Sequence, residues 1–226
     1  MLRKFGSLAL AVAWLLQAER TASADPRETA VWSALLLTAK ASTERTGPSV
    51  WLDAHARRAP TSTTAIVRPG LGYRLSPTTS LWGGYAYIGA FADGDADDVT
   101  EHRAWQQIIH QDTLGPLLFQ FRGRVEQRFR SDESPALRLR ALARANVSLW
   151  SGGPLAIASW NETFVAVGRT SWGSPAGFDQ NRLFLGLALA AGQVRVEAGY
   201  TGISVRRADD SLLHQHAPTL WVFFAY

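Results

Sequence analysis

Between Phe121 and Phe129 the chain reads F-R-G-R-V-E-Q-R-F, so that Arg122, Arg124, Glu126 and Arg128 fall on alternate positions. A helix would scatter these residues around its circumference. An extended strand puts them all on one face and puts Phe121, Val125 and Phe129 on the other. Leu137 to Asn146 repeats the pattern, with Arg138, Arg140 and Arg144 opposed to Leu137, Leu139, Ala141 and Ala143. Between Asn181 and Ala191, Leu183, Leu185, Leu187 and Leu189 oppose Arg182, Phe184, Gly186 and Ala188, and next Val194 and Val196 oppose Arg195 and Glu197. Such strands are strongly charged on one side and strongly apolar on the other. They need two different environments at once.

Eleven segments of this kind follow one another: 31–40, 50–58, 65–75, 79–88, 100–111, 117–129, 136–149, 155–167, 179–190, 193–205 and 213–226. Many reach the ~9–11 residues of a tilted membrane-crossing strand, whereas strands of soluble sandwiches run to ~5–6. Short connections (Ser76-Pro77-Thr78, Gly115-Pro116, Ser151 to Pro154, Ala191-Gly192) alternate with long polar ones at 89–99, 168–178 and 206–212. Outer-membrane barrels alternate their loops in this way. The fold class expected is therefore all-β, an antiparallel transmembrane β-barrel of 10–12 strands in an up-and-down meander. Bacterial barrels carry even strand numbers with both termini on the periplasmic side, which predicts ten or twelve strands, with one segment, 31–40 or 155–178 first, miscounted, split or outside the wall. Trp51, Trp82, Tyr85, Tyr87, Trp150 and Tyr200 lie near segment ends, where interfacial girdles sit. Gly70, Gly72, Gly83 and Gly84, beside Tyr73 and Tyr85, are expected to serve barrel curvature.

Both ends of the chain fit export to an outer membrane. Met1-Leu2-Arg3-Lys4, the apolar stretch from Phe5 to Gln17 and Ala22-Ser23-Ala24 read as a cleavable signal peptide over 1–24, leaving 25–226 as a single barrel domain. Removing Arg3, Lys4, Glu19 and Arg20 lowers the formal charge of +4 to about +2. That balance offers no concentrated basic face for nucleic acid. After residue 24 no apolar run approaches the ~20 residues of a spanning helix. Cysteine is absent, so disulfides, a thiol nucleophile and a Cys metal site are excluded. The closing strand, with Leu220, Val222, Phe224 and the terminal aromatic Tyr226 on one face, looks like the signal read by the outer-membrane assembly machinery. The expected surroundings are outer-membrane lipid and lipopolysaccharide, and the expected state is a monomer.

Five blocks carry a resemblance: Arg68 to Leu75 (RPGLGYRL), Ser80 to Tyr87 (SLWGGYAY), Glu101 to Gln107 (EHRAWQQ), Arg122 to Phe129 (RGRVEQRF) and Phe178 to Gly186 (FDQNRLFLG). In this order they resemble a bacterial family known as domain of unknown function 2490, over the chain from about residue 31 onward. The resemblance implies an outer-membrane β-barrel and brings no activity with it.

If the apolar parity meets lipid, the charged parity faces the lumen. The inward charge network expected comprises Glu101, Arg103, Arg122, Arg124, Glu126, Arg128, Arg138, Arg140, Glu162, Arg182, Arg195 and Glu197, with Asp53, Arg57, Arg68, Arg74 and Arg144. Arginine suits the bracing of a narrow barrel because its planar fork binds carboxylates bidentately. The same arginine surplus would bias any residual channel toward anions. Bracing is the favoured reading and a narrow anion-biased pore the next.

An outer-membrane lipid-modifying enzyme is a weaker alternative, resting on Asp209, Asp210, Ser211, His214 and His216 near the last long loop, or Asn161 with Glu162. A soluble periplasmic β-barrel binding protein is another. No G-x-S-x-G element is present. No catalytic residue, metal ligand or cofactor is assigned, although His214 and His216 share a face and could hold a metal with Asp209 or Asp210. His102 lies on the parity opposite to Glu101 and Arg103.

Overall fold

A computed structural model describes residues 27–40, 45–172 and 175–225; residues 1–24, expected to be a signal peptide, and Tyr226 of the expected assembly signal lie outside the described residues. The strands are β1 (Arg27–Thr29), β2 (Val31–Lys40), β3 (Gly47–Ala59), β4 (Ser62–Arg74), β5 (Thr79–Ala92) and β6 (Val99–Leu114), then β7 (Leu117–Phe129), β8 (Ala136–Ser148), β9 (Leu155–Val167), β10 (Gly177–Ala191), β11 (Val194–Arg206) and β12 (Leu212–Ala225). Among the described residues there is no helix. From β2 to β12 each strand pairs antiparallel with the next, and β12 returns to pair with β2. β1 and β2, divided only at Ala30, form one stave, since β1 also lies along β12.

The wall therefore has eleven staves, and this corrects the even number. All eleven segments read from the sequence are in the wall, including 31–40 and 155–167. An odd meander can close only if its first and last strands run the same way. The β2–β12 pairing is accordingly parallel, Trp32 opposite Thr219 through Thr38 opposite Ala225. The chain thus enters the wall at one end of the barrel and leaves it at the other, which corrects the expectation that both termini share an end.

One end collects the tight connections after β4, β6 and β10, together with the end of β12. Gly115 and Gly192 each hold a φ of 59° at the first of two turn residues, a position where a side chain is disfavoured and glycine is not. The opposite end collects residues 93–98, 130–135, 168–172 with 175–176, and 207–211, with the short Pro60–Thr61 turn as the exception. We call these the short-turn end and the long-loop end.

Alternation sorts the side chains as strand geometry requires. Every stave exposes at least one large apolar residue outward, such as Leu35, Leu52, Leu71, Leu81, Ile108, Phe121, Leu139, Ile157, Leu187, Tyr200 and Leu220. Tyr85 and Tyr87 also point out, but Trp51 and Trp82 point in and are buried. Inside they meet edge to face, with ring centroids 5.3 Å apart, and Trp51 lies 6.1 Å from Trp105. The glycines make this possible. A Cβ on Gly70 or Gly84 would come within 2.6–2.7 Å of Trp105, and one on Gly72 within 2.2 Å of Trp82. These three glycines therefore make room for inward indoles, a more specific role than curvature.

Candidate functional site

Among the described residues twelve strand arginines point into the lumen: Arg57, Arg68, Arg74, Arg103, Arg122, Arg124, Arg128, Arg138, Arg140, Arg144, Arg182 and Arg195. They face six buried carboxylates, Asp53, Glu101, Glu126, Glu162, Asp179 and Glu197. The twelve residues expected to form the charge network are thus all inside the barrel. Asp179 was not foreseen. Strict alternation with Gln180 and Arg182 would turn it outward, but the β9–β10 register shifts between Phe178 and Gln180, and this bulge turns both Asp179 and Gln180 inward.

Toward the long-loop end the network is dense. Glu101 accepts from Arg103 at 2.5 Å and from Arg128 at 2.6 and 2.8 Å. Glu126 accepts from Arg140 at 2.5 Å and from Arg138 at 2.7 and 3.1 Å, with Arg103 at 3.4 Å. Arg138 also reaches over β9 to Asp179 on β10 at 3.2 Å. At this layer Trp172, from the loop after β9, donates to the Ser134 carbonyl at 2.8 Å and stacks on the guanidiniums of Arg128 and Arg130, 4.9 and 4.4 Å from its ring centroid. Two loops and the uppermost arginines so pack against one another at the long-loop end.

At mid-barrel Glu162 gathers Arg122 at 2.6 Å, Arg140 at 2.7 Å and Arg182 at 3.9 Å. Asp53 accepts from Arg68 at 2.9 Å and from the Trp51 indole at 3.1 Å. Arg57 and Arg182 flank the Trp32 ring at 4.2 and 4.9 Å, a cation–π contact that links β10 to β2 and β3 across the lumen. Nearer the short turns, Arg144 is hydrogen-bonded to Glu197, which also accepts from Asn146 at 3.1 Å.

Below this floor the lumen widens into a chamber of about 660 Å³ that opens between the short turns. Its basic lining includes Arg68, Arg74, Arg122, Arg140, Arg144, Arg182 and Arg195, against Asp53 and Glu162; its apolar lining includes Trp51, Trp82, Trp160, Trp221 and Phe223. Trp160 and Trp221 escaped the sequence reading, although each has the parity of an inward residue, Trp160 two places before Glu162. A separate hollow of about 830 Å³ on the outer wall, bordered by Leu71, Tyr73, Leu81, Ile108 and Leu139, sits where Gly83 and Gly123 lack side chains. It is a mostly apolar groove in the outward face.

The rim residues weighed for catalysis or metal binding go elsewhere. Ser211 donates to Asp209 at 2.6 Å, and the two hydrogen bonds from Ser211 hold the Asp209 carboxyl below its ordinary range. His214 and His216 lie on the outer face, joined to Ser204 at 3.0 Å and to Tyr200. Asn161 is also outside, paired with Asn181 at 3.1 Å, while its neighbour Glu162 is inside. No three His, Asp or Glu among the described residues are grouped to hold a metal.

The family model described as protein of unknown function DUF2490 matches residues 29–213. An uncharacterized protein of Methylorubrum extorquens is 33% identical over 168 residues, covering 71% of this chain and 72% of the relative. No solved structure matches.

Proposed function

The chain belongs to the DUF2490 family, and we propose that it is an exported outer-membrane barrel whose lumen is closed toward the cell exterior and forms a cationic, anion-binding chamber toward the periplasm. The observation that carries this is the excess of buried arginine. Twelve inward guanidiniums against six carboxylates leave positive charge in a confined, low-dielectric space. Uncompensated buried charge costs several kcal/mol per ion in real proteins (roughly), so such a lumen draws in anions.

The apolar residues exposed around all eleven staves support immersion in lipid, because a water-exposed barrel has no use for a continuous apolar belt. The short-turn end would face the periplasm, as in other barrels of that membrane. Outer-membrane lipid and lipopolysaccharide would surround the wall, with the strand ending at Tyr226 presented to the assembly machinery. The ion-pair layers and the Trp172 packing favour a braced, sealed barrel over an open pore.

Two measurements test the reading. After cell fractionation, the mature chain should stay with the outer membrane until detergent is added, and its migration in mild detergent should depend on heating. Release by osmotic shock alone would end the membrane claim. In planar bilayers the purified protein should pass little current, and reversal potentials under a KCl gradient should favour chloride in whatever passes. A large steady conductance would contradict the seal, and cation preference would contradict the charge assignment.

A further inference from the structure

The chamber is more than a patch of positive charge. Three arginines converge on the single carboxylate of Glu162, so this part of the floor keeps a net positive charge after pairing. The Nε groups of Arg68, Arg122 and Arg182 are buried without a hydrogen-bond partner. So are the indole nitrogens of Trp160 and Trp221 on the wall. Buried donors of this kind ordinarily find acceptors, since each one left unmade costs about 1–3 kcal/mol. The same wall is otherwise apolar: Trp160 stacks on Phe184 at 5.4 Å, meets Trp221 edge-on at 6.0 Å, and Trp221 stacks on Phe223 at 5.8 Å.

We infer that the chamber binds one compact amphipathic anion, an aryl or short-chain alkyl carboxylate, sulfonate or phosphate. The inference rests on the lumen being a one-ended cationic chamber. The anionic head would sit on the floor of Arg68, Arg122 and Arg182. The hydrocarbon body would lie among Trp51, Trp160 and Trp221 toward the opening. An inorganic anion would meet the arginines but leave the tryptophan wall in water, and a neutral hydrophobe would do the reverse. Only a ligand with both parts satisfies both surfaces. The volume of about 660 Å³ lies within the range of ordinary small-molecule sites.

The experiment uses the full mature protein in a non-ionic maltoside detergent, with isothermal calorimetry and tryptophan fluorescence as readouts. Three probes are compared: naphthalene-2-sulfonate, the neutral 2-naphthalenemethanol, and sodium sulfate. The sulfonate should bind saturably at one site per chain and quench tryptophan emission, with the other two weaker by about tenfold or more. Arg182→Gln should weaken the sulfonate by about tenfold. If that variant does not fold, Trp160→Phe, which keeps a ring and removes the indole N–H, should still weaken it measurably. Equal binding of sulfate would reduce the chamber to a simple anion site and overturn the inference, leaving the cationic chamber standing. Equal binding of the alcohol, or no saturable sulfonate binding by folded barrel, would also overturn it. Chloride preference in the bilayer reads the charge of the lumen independently of any of these outcomes.

Discussion

Glu126 on β7 and Arg140 on β8 are joined diagonally at 2.5 Å, although the strand register sets Arg138, not Arg140, directly opposite Glu126. Diagonal neighbours on one face of a sheet are within reach of long side chains, so one carboxylate takes both arginines. Arg140 then spends its remaining donors on Glu162 at 3.0 and 2.7 Å. It is the link that makes the β7 and β9 carboxylates a single network.

That connectivity predicts the effect of Glu126→Gln. The side chain is 1% exposed and holds Arg138, Arg140 and Arg103 at once. Removing one partner of a buried ion pair typically costs ~3–5 kcal/mol, because the other charge stays behind. The variant should unfold at a clearly lower temperature by circular dichroism in detergent. Leu187→Val, on the outer face and 51% exposed, should change the transition little. Equal stability of Glu126→Gln and the parent would mean that water, not arginine, compensates this carboxylate.

How much of this was legible in the sequence depends on the range of the interaction that decides it. Alternation is local, so the parity of Arg122 through Arg128 and the inward position of the network could be read directly. Counting was local too, and the eleven segments were right. It was the general rule of even barrels that replaced eleven by ten or twelve. Closure depends on how residues some 190 positions apart meet, as Leu35 and Val222 do, and no short-range pattern encodes it. Position near strand ends points to Trp51 and Trp82 as girdle residues, yet Trp51 shares parity with Asp53 and so has to point inward. Asp179 is hidden by a bulge, which turns two successive residues to one face where alternation allows one, and leaves the parity from Arg182 onward as read.

The Trp105 pocket predicts a contrast between two glycines. A Cβ at Gly84 would lie 2.3 Å from the Pro69 carbonyl oxygen and 2.7 Å from Trp105, contacts that backbone cannot relieve cheaply. Gly84→Ala should cost about 1–3 kcal/mol, the usual range for overpacking, or prevent folding. Gly202→Ala meets nothing within 4 Å and should leave the unfolding temperature unchanged or raise it. Refolding yield and thermal melts of the two variants side by side provide the measurement.

A lumen sealed as proposed predicts a gain of function. Glu126→Ser combined with Arg140→Ser removes the link between the β7 and β9 carboxylates together with one charge of each sign, so the net charge of the lumen is kept. Single-channel current in planar bilayers should rise above that of the parent and keep its chloride preference. A double variant that folds and conducts no better than the parent would place the constriction elsewhere, under Trp172.

The parallel seam gives the most direct test of the odd strand number. The chain has no cysteine, so an engineered pair can report without background. Leu35 on β2 and Val222 on β12 are direct partners in the closing register, and both face outward. Strand neighbours lie ~4.7–4.9 Å apart, inside the Cα separation a disulfide accepts. Leu35→Cys with Val222→Cys should therefore oxidise readily in the folded barrel and link the first and last staves. The product should migrate faster than its reduced form after boiling, because the unfolded chain stays looped. Val31→Cys with Val222→Cys is the control: four residues along the strand add roughly 13 Å, beyond any disulfide. If the control pair oxidises as well as the first, the seam is out of register or open. An even-stranded barrel, whose closing pair runs antiparallel, would link Val222 to a partner that shifts in the opposite sense as the β12 position is moved. Moving to Leu220→Cys with Ser33→Cys, the next outward pair of the parallel register, should preserve efficient oxidation only if β2 and β12 run the same way.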